Sequence, residues 1–184
     1  MTQRFRQLTL AAAVAGLALA NLAMFHNPGS QGSVWWKNYR WDKSRLGILV
    51  NVSSASRTPA LRAANTWIGR TDLELPSSSS HTDISLYDGN WGDNGWAGLA
   101  TVWTSFLDSD EIDHCHARLN RYYTHVPTGQ TTAWWWEGVY CQELGHCFGL
   151  GHDLTTGCMN AGAMWRGLAN TPSSSNVSAI NGRY

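Results

Sequence analysis

Apolar residues arrive along this chain in short runs whose spacing changes from one segment to the next. Residues 45–53, RLGILVNVS, are aliphatic and β-branched and predict a first strand. Thr58-Pro59 has the form of a helix cap with proline at the first helical position. Leu61, Ala64, Asn65 and Ile68 follow at helical spacing, and Gly69 can end that helix. Residues 76–80 form a polar loop, after which Asp83 to Tyr87 alternates as a strand. The turn-rich run DGNWGDNG, from Asp88 to Gly95, leads into a strand from Leu99 to Trp103, and Ile112 to Tyr123 predicts a further one. Beyond Pro172 the tail is rich in serine, a composition that reads as disordered. No internal repeat is present.

The N-terminus has its own pattern. Arg4 and Arg6 precede an apolar run from Leu8 to about Ala20, and Ala18-Leu19-Ala20 is an A-x-A-like cleavage site. A signal peptide is therefore expected over residues 1–23, cleaved near Ala20 or Ala23, with one domain over 24–184. Because the run continues weakly to Phe25, it approaches the roughly 18 residues of a spanning helix, and a membrane anchor is the alternative. Small alanines and the interrupting Asn21 favour cleavage, so no stable membrane association is expected after it.

Composition narrows the partners. Thirteen basic and thirteen acidic residues cancel and only 14% of the chain is charged, which gives nucleic acid no electrostatic footprint. The four cysteines, in a chain with an export signal, predict two disulfides, for which three pairings exist. Eleven tryptophans are many for 184 residues, and Trp134-Trp135-Trp136 cluster just before the most informative segment; they read as core packing, or alternatively as a cell-wall contact.

That segment is CQELGHCFGLGHD, Cys141 to Asp153. Residues four apart share a helix face, so Gln142 and His146 project toward one point, with Glu143 about 100° round the axis. Gly149 can break the helix through a positive φ, and the chain then returns to present His152 from a third direction. A metal held by three protein ligands with one open position is the catalytic form of a zinc site, and a carboxylate beside it can act as base. Gln142, His146 and His152 are the candidate ligands and Glu143 the candidate base. Gln142 stands where an imidazole is expected, and its amide oxygen is a poorer, neutral donor. Asp153 is the alternative third ligand, and His114, His116 or His125 could also fold in. Asp113-His114-Cys115-His116 has the look of a ligand cluster, although a strand with a buried cysteine reads it equally.

From Glu143, His146, Gly149, His152 and Asp153 in register, the segment resembles the HExxHxxGxxHD signature of the metzincin clan of zinc endopeptidases, in its reprolysin and matrixin-type variants. The form CQExGHxxGLxH followed by CM is similar to that of small secreted bacterial proteins related to the clan. The resemblance implies an α+β single domain: a twisted, mostly parallel sheet with an antiparallel edge strand, packed on two long helices, with a zinc helix followed by a methionine turn. Met159, in Gly157-Cys158-Met159-Asn160, is the implied turn methionine, with Met164 a less well matched option. Ala161 stands where some members carry a tyrosine. Arg118-Leu119-Asn120 resembles the I-x-L-N strand ahead of the catalytic helix, and the tail from Asn176 could close the domain as a short helix. The resemblance favours pairing Cys141 with Cys158, leaving Cys115 with Cys147. It also implies that Leu99, Ala100, Thr101 and Val102 form the edge strand that pairs with a peptide substrate. One Zn2+ is the implied cofactor. Ca2+ could sit among Asp88, Asn90, Asp93 and Asn94, as in matrixin relatives, although these are also the commonest turn residues and the EF-hand spacing is missing. The function expected is a secreted, monomeric, zinc-dependent endopeptidase acting on protein or peptide. The alternative is a catalytically inactive metzincin-like protein that binds protein or cell-wall ligands, and a hydrolase of a non-peptide substrate is a third reading.

Overall fold

The computed structural model describes residues 35–79, 82–124, 126–160, 162, 166–167 and 169–184. The expected signal peptide, His125, Ala161 and Met164 lie outside the described residues. Four strands form one sheet in the order β1-β2-β4-β3: β1 is Ile48–Asn51, β2 Ile84–Gly89, β3 Gly98–Thr104 and β4 Ile112–Asn120. β1 pairs with β2 and β2 with β4 in parallel, whereas β3 runs antiparallel to β4 and forms the open edge. The sheet is thus mostly parallel with an antiparallel edge strand, and it carries two long helices, α1 (Ser54–Ile68) and α2 (Thr132–Cys147). A short α3, Ser174–Asn181, ends the chain.

The core lies between the sheet and the helices. Cys115, Ala117 and Leu119 alternate inward from β4, and Ile84 and Leu86 from β2. The small side chains Ala60, Ala63 and Ala64 let α1 approach α2 closely, and the wholly buried Trp67 spends its indole N–H on the Cys141 carbonyl at 3.0 Å. Thr131 caps α2 by accepting from Trp134 N at 3.1 Å. Trp135 is fully buried and Trp136 packs against the core, so two of the three clustered tryptophans are occupied in packing rather than displayed as a contact surface.

Element boundaries depart from the sequence expectation where a distant residue intervenes. Helix α1 begins at Ser54, four residues before Thr58, and Pro59 lies inside it. The cause is Asp88 of β2: its carboxylate accepts from Ser53 N at 2.7 Å, Ser53 Oγ at 2.5 Å and Ser56 Oγ at 2.8 Å, and pairs with Arg121 Nε at 2.7 Å. A carboxylate at a helix N-terminus satisfies free N–H groups and complements the helix dipole. Strand β1 is four residues rather than nine, because Arg45 and Leu46 instead join the segment at Glu74. Strand β4 stops at Asn120, three residues before Tyr123, because the Asn120 side chain turns into the loop after β2. The serine-rich tail is ordered by a capping box between Ser173 and Asn176, by buried Ile180, and by Tyr184, whose hydroxyl donates to the Phe148 carbonyl at 3.0 Å.

Two disulfides, Cys141–Cys158 and Cys115–Cys147, hold α2 to the segment beyond it and to β4. No helix among the described residues is long and apolar enough to cross a membrane. Loop-closure entropy for such spans predicts that the double substitution Cys141→Ser, Cys158→Ser lowers the unfolding free energy by about 3 kcal/mol, measured by chemical denaturation.

Candidate metal centre

From Gly138 to Cys147 every residue of α2 is buried, including Gln142, Glu143 and His146. Polar groups buried in such a stretch must find partners or carry a cost of about 1–3 kcal/mol. His146 finds one: its Nδ1 lies 2.8 Å from the Leu150 carbonyl. A carbonyl only accepts, so Nδ1 carries the hydrogen and Nε2 of the neutral ring is left with its lone pair. Burial, with the His152 charge acting in the same direction, lowers the ring to about 3 and keeps it neutral.

The chain leaves α2 through Gly149 at φ 88°, where a Cβ would strike the Tyr39 carbonyl. It then returns His152, whose Nε2 stands 3.1 Å from His146 Nε2. Two imidazole nitrogens sharing one tetrahedral zinc at bonds of about 2.0–2.1 Å would be roughly 3.3 Å apart. In this structure the 3.1 Å is a hydrogen bond, with His152 Nε2 donating to the lone pair of His146 Nε2, and the distance is also close to that of two imidazoles on one zinc.

Gln142, one turn ahead of His146, is 1% exposed, and its Nε2 has no hydrogen-bond partner. Among the described residues no group of three histidine, cysteine, aspartate or glutamate side chains is arranged to hold a metal. Gln142 precedes His146 by one helical turn, which makes its amide the candidate third donor. Asp153, the alternative ligand, has its carboxylate engaged by Thr155 N at 3.0 Å, Thr155 Oγ1 at 2.7 Å and Asn176 Nδ2 at 2.6 Å. Those bonds fasten the turn to α3, and ligation would cost them.

Glu143 is also 1% exposed. Burial pushes its carboxyl up to about 8, against the opposing pull of a hydrogen bond from the Ala100 N–H. Its Oε2 has no partner, so Oε1 accepts that bond. Ala97 O accepts from Asn120 N of β4, so odd-numbered residues of β3 face β4 and even-numbered ones, Gly98, Ala100 and Val102, turn their backbone groups to the open edge. The Glu143 carboxylate therefore sits against the outer side of β3, buried there and holding the Ala100 N–H. Gly98 is required there, since a Cβ on it would collide with Glu143 Oε1 and Val139.

Beneath the helix, buried Met159 lies against Gly145, where a Cβ would strike its Sδ. The turn is closed by Cys158 N to Thr171 O at 2.8 Å and Asp153 N to Met159 O at 3.2 Å. An N-terminal segment that sequence reasoning missed closes the other side: Trp36 N donates to Gly149 O at 2.7 Å, Trp41 Nε1 donates to Cys147 O at 2.8 Å, and the Trp36 ring meets His146 edge-on at 5.6 Å. Nothing periodic marks Trp36 or Gly98, whereas Gly145 inside a helix does signal close approach.

The other clusters singled out in the sequence have separate employment. His114 stacks on Trp103 at 4.3 Å, and His116 takes a hydrogen bond from Arg118 at 3.0 Å, both on the sheet face away from the helices. Cys115 between them is in a disulfide. In the loop after β2, the Gly92 and Trp96 carbonyls and Asn94 Oδ1 converge on Asn120 Nδ2 at 3.0–3.2 Å, and Asp93 accepts from the Tyr123 hydroxyl at 2.6 Å. With Asp88 drawn to α1, the oxygens considered for calcium serve protein donors instead.

No family model and no curated protein sequence matches the chain. Among solved structures it is similar to high choriolytic enzyme 1, a hatching enzyme zinc-protease from Oryzias latipes (Medaka fish), at 15% identity and a TM-score of 0.37, over 66% of this chain and 54% of that one. The chain thus spans about half the length of that structure.

Burial lowers the His116 ring from 6.5 to about 4, and the Arg118 and His114 charges act in the same direction. The folded ring resists a proton that the unfolded chain accepts, so stability is lost as pH falls from 6.5 toward about 4. Denaturation midpoints followed over that interval should fall less steeply in His116→Gln than in the native chain.

Proposed function

We propose that the chain is a secreted zinc-dependent endopeptidase. The observation that carries this reading is the 3.1 Å between His146 Nε2 and His152 Nε2, beside a buried amide and a buried carboxyl that have little structural reason to be there. His146 and His152 would hold zinc through Nε2 and Gln142 through its amide oxygen, with Met159 packed beneath as the methionine turn. The donor set fits the ion: two imidazoles, with His146 fixed by its Nδ1 bond to the Leu150 carbonyl, and one neutral oxygen would leave it with its full charge and an open position. Zinc at such a site supplies Lewis-acid chemistry for peptide hydrolysis.

The residues divide the remaining work. An extended peptide would lie along the outer edge of β3, whose Ala100 N–H is already held by Glu143, so that the scissile carbonyl comes beside that carboxyl. Glu143 receives at Oε2 the proton lost by the attacking water as the new C–O bond forms, and returns it to the amine nitrogen as the C–N bond breaks. A carboxyl whose proton affinity burial has raised toward neutrality suits both transfers. The Ala100 N–H on Oε1 holds the group in place, and Trp36 walls off His146 from water. Two disulfides support an extracellular location, the oxidising setting in which such bridges persist.

Zinc-loaded protein is expected to contain about one ion per chain and to hydrolyse a generic protein substrate in a chelator-sensitive manner. Glu143→Gln should lower turnover by about 10²- to 10⁴-fold with zinc content unchanged; a Glu143→Gln protein as active as the native one overturns the mechanism. His152→Ala should lose the metal, and Gln142→His should bind it more tightly. Folded but inactive Gly98→Ala is a second expected outcome, because the added methyl displaces the carboxylate. A chain that retains no zinc at micromolar free metal and hydrolyses nothing would instead be a binding protein.

A further inference from the structure

The sheet face turned away from the helices carries a cation without a counter-charge. His114, His116 and Arg118 of β4 share that face, and their cross-strand neighbours on it are Tyr87 of β2 and Leu99, Thr101 and Trp103 of β3. Arg118 is half-buried, directly opposite Tyr87 on one side and Leu99 on the other. Among the described residues no carboxylate lies within ion-pair distance of it, whereas Arg40, Lys43, Arg45, Arg62 and Arg121 each have one. Burial lowers the Arg118 pKa, a penalty that an anion beside the guanidinium would relieve.

The groups that hold Arg118 in place are neutral. Its guanidinium donates to Thr101 Oγ1 at 2.8 Å and to His116 Nδ1 at 3.0 Å, which orients it and leaves further N–H donors without a partner among the described residues. A guanidinium only donates, so His116 Nδ1 bears the lone pair and Nε2 the hydrogen. Burial, with the Arg118 and His114 charges acting in the same direction, keeps that ring neutral at pH 7. Edge-on contacts with Tyr87 at 5.0 Å and Trp103 at 4.7 Å brace it. The same tautomer disfavours a metal between His114 and His116, because Arg118 takes the one lone pair of the His116 ring.

Charge selects the ligand. Arg118 contributes one positive charge and His116 none, while Asp113, 2.9 Å from His114, adds a negative one farther along the strand. A monoanion matches that balance better than a dianion such as a phosphate monoester. A carboxylate also matches the planar fork of the guanidinium. The partly exposed Tyr87 and Leu99 give its organic body an apolar bed on either side.

We infer that Arg118, oriented by Thr101 and His116, is the centre of a binding site for a small organic monocarboxylate whose apolar body lies over Tyr87 and Leu99. The site is separate from the proposed peptidase centre, whose ligands and base lie on α2 and in the turn beyond it.

Benzoate, benzamide and phenyl phosphate, titrated into the isotope-labelled full chain with zinc present and followed by two-dimensional NMR, provide the test. Benzoate should bind with a Kd of about 1–10 mM and shift the signals of Thr101, His116 and Arg118. Benzamide, of the same shape without the charge, should bind about tenfold more weakly, and phenyl phosphate no more tightly than benzoate. Arg118→Gln should abolish benzoate binding with an unaltered circular dichroism spectrum. Arg118→Lys should weaken it about fivefold, since an ammonium cannot serve Thr101, His116 and a carboxylate fork together. Thr101→Val keeps the charge and frees the guanidinium; it should weaken binding about threefold, and it decides the matter if loss of Arg118 unfolds the sheet. Equal affinity for benzoate and benzamide overturns the site, as does tighter binding of phenyl phosphate or benzoate binding that survives Arg118→Gln. Shifts confined to His146, His152 and their neighbours overturn it too, as does benzoate that moves no signal at about 50 mM.

Discussion

Helix α2 is enclosed on every side over its last ten residues, and that enclosure contains Gln142, Glu143 and His146. Leaving Gln142 Nε2 and Glu143 Oε2 without partners there costs about 1–3 kcal/mol apiece, a sizeable share of a domain's net stability. Apolar residues would pack the same volume without that penalty. The structure tolerates the cost because α2 is held from several directions at once: disulfides at Cys141 and Cys147, the Trp67 indole on the Cys141 carbonyl, Trp41 on the Cys147 carbonyl, and Met159 against Gly145. Rigidity of this kind holds Gln142, Glu143 and His146 in fixed positions, as the proposed metal site requires.

Close backbone approach is the second requirement. A methyl group at Gly98 would push Glu143 off the edge of β3, and one at Gly145 would push Met159 off the helix. Both contacts join an element to α2 at the level of the polar residues, so the site is assembled by sheet edge, helix and turn together. The chain ends contribute as well. Arg183 donates to the Tyr39 carbonyl and Tyr184 bonds to both Trp41 and Phe148, so the N-terminal segment and the tail clasp the same end of α2.

Much of this was legible in the sequence, for identifiable reasons. The four strands announce themselves through local patterning and α2 through the spacing of Gln142, His146, Gly149 and His152, which constrains where those side chains can go. What escaped was set by distant partners. Helix α1 starts where Asp88 of β2 reaches it, a contact spanning 35 residues, so Thr58-Pro59 misled. For the tail, composition read as disorder and the resemblance as a short closing helix; the helix forms, and Asn176 links its capping box to Asp153, 23 residues away. The oxygen-rich loop suggested a cation, and Asn120 satisfies it from 26 to 28 residues downstream. Trp36 and Gly98 carry no local signal, because their roles exist only against His146 and Glu143.

The account turns on two imidazoles and one amide sharing an ion. X-ray absorption at the zinc edge of the loaded, mature chain tests that directly. The expected spectrum has two imidazole nitrogens and light oxygen or nitrogen neighbours at about 2.0–2.2 Å, with no sulfur, and it loses an imidazole in His152→Ala. A site with three imidazoles, one in which sulfur appears, or a mature chain that takes up no zinc would contradict it.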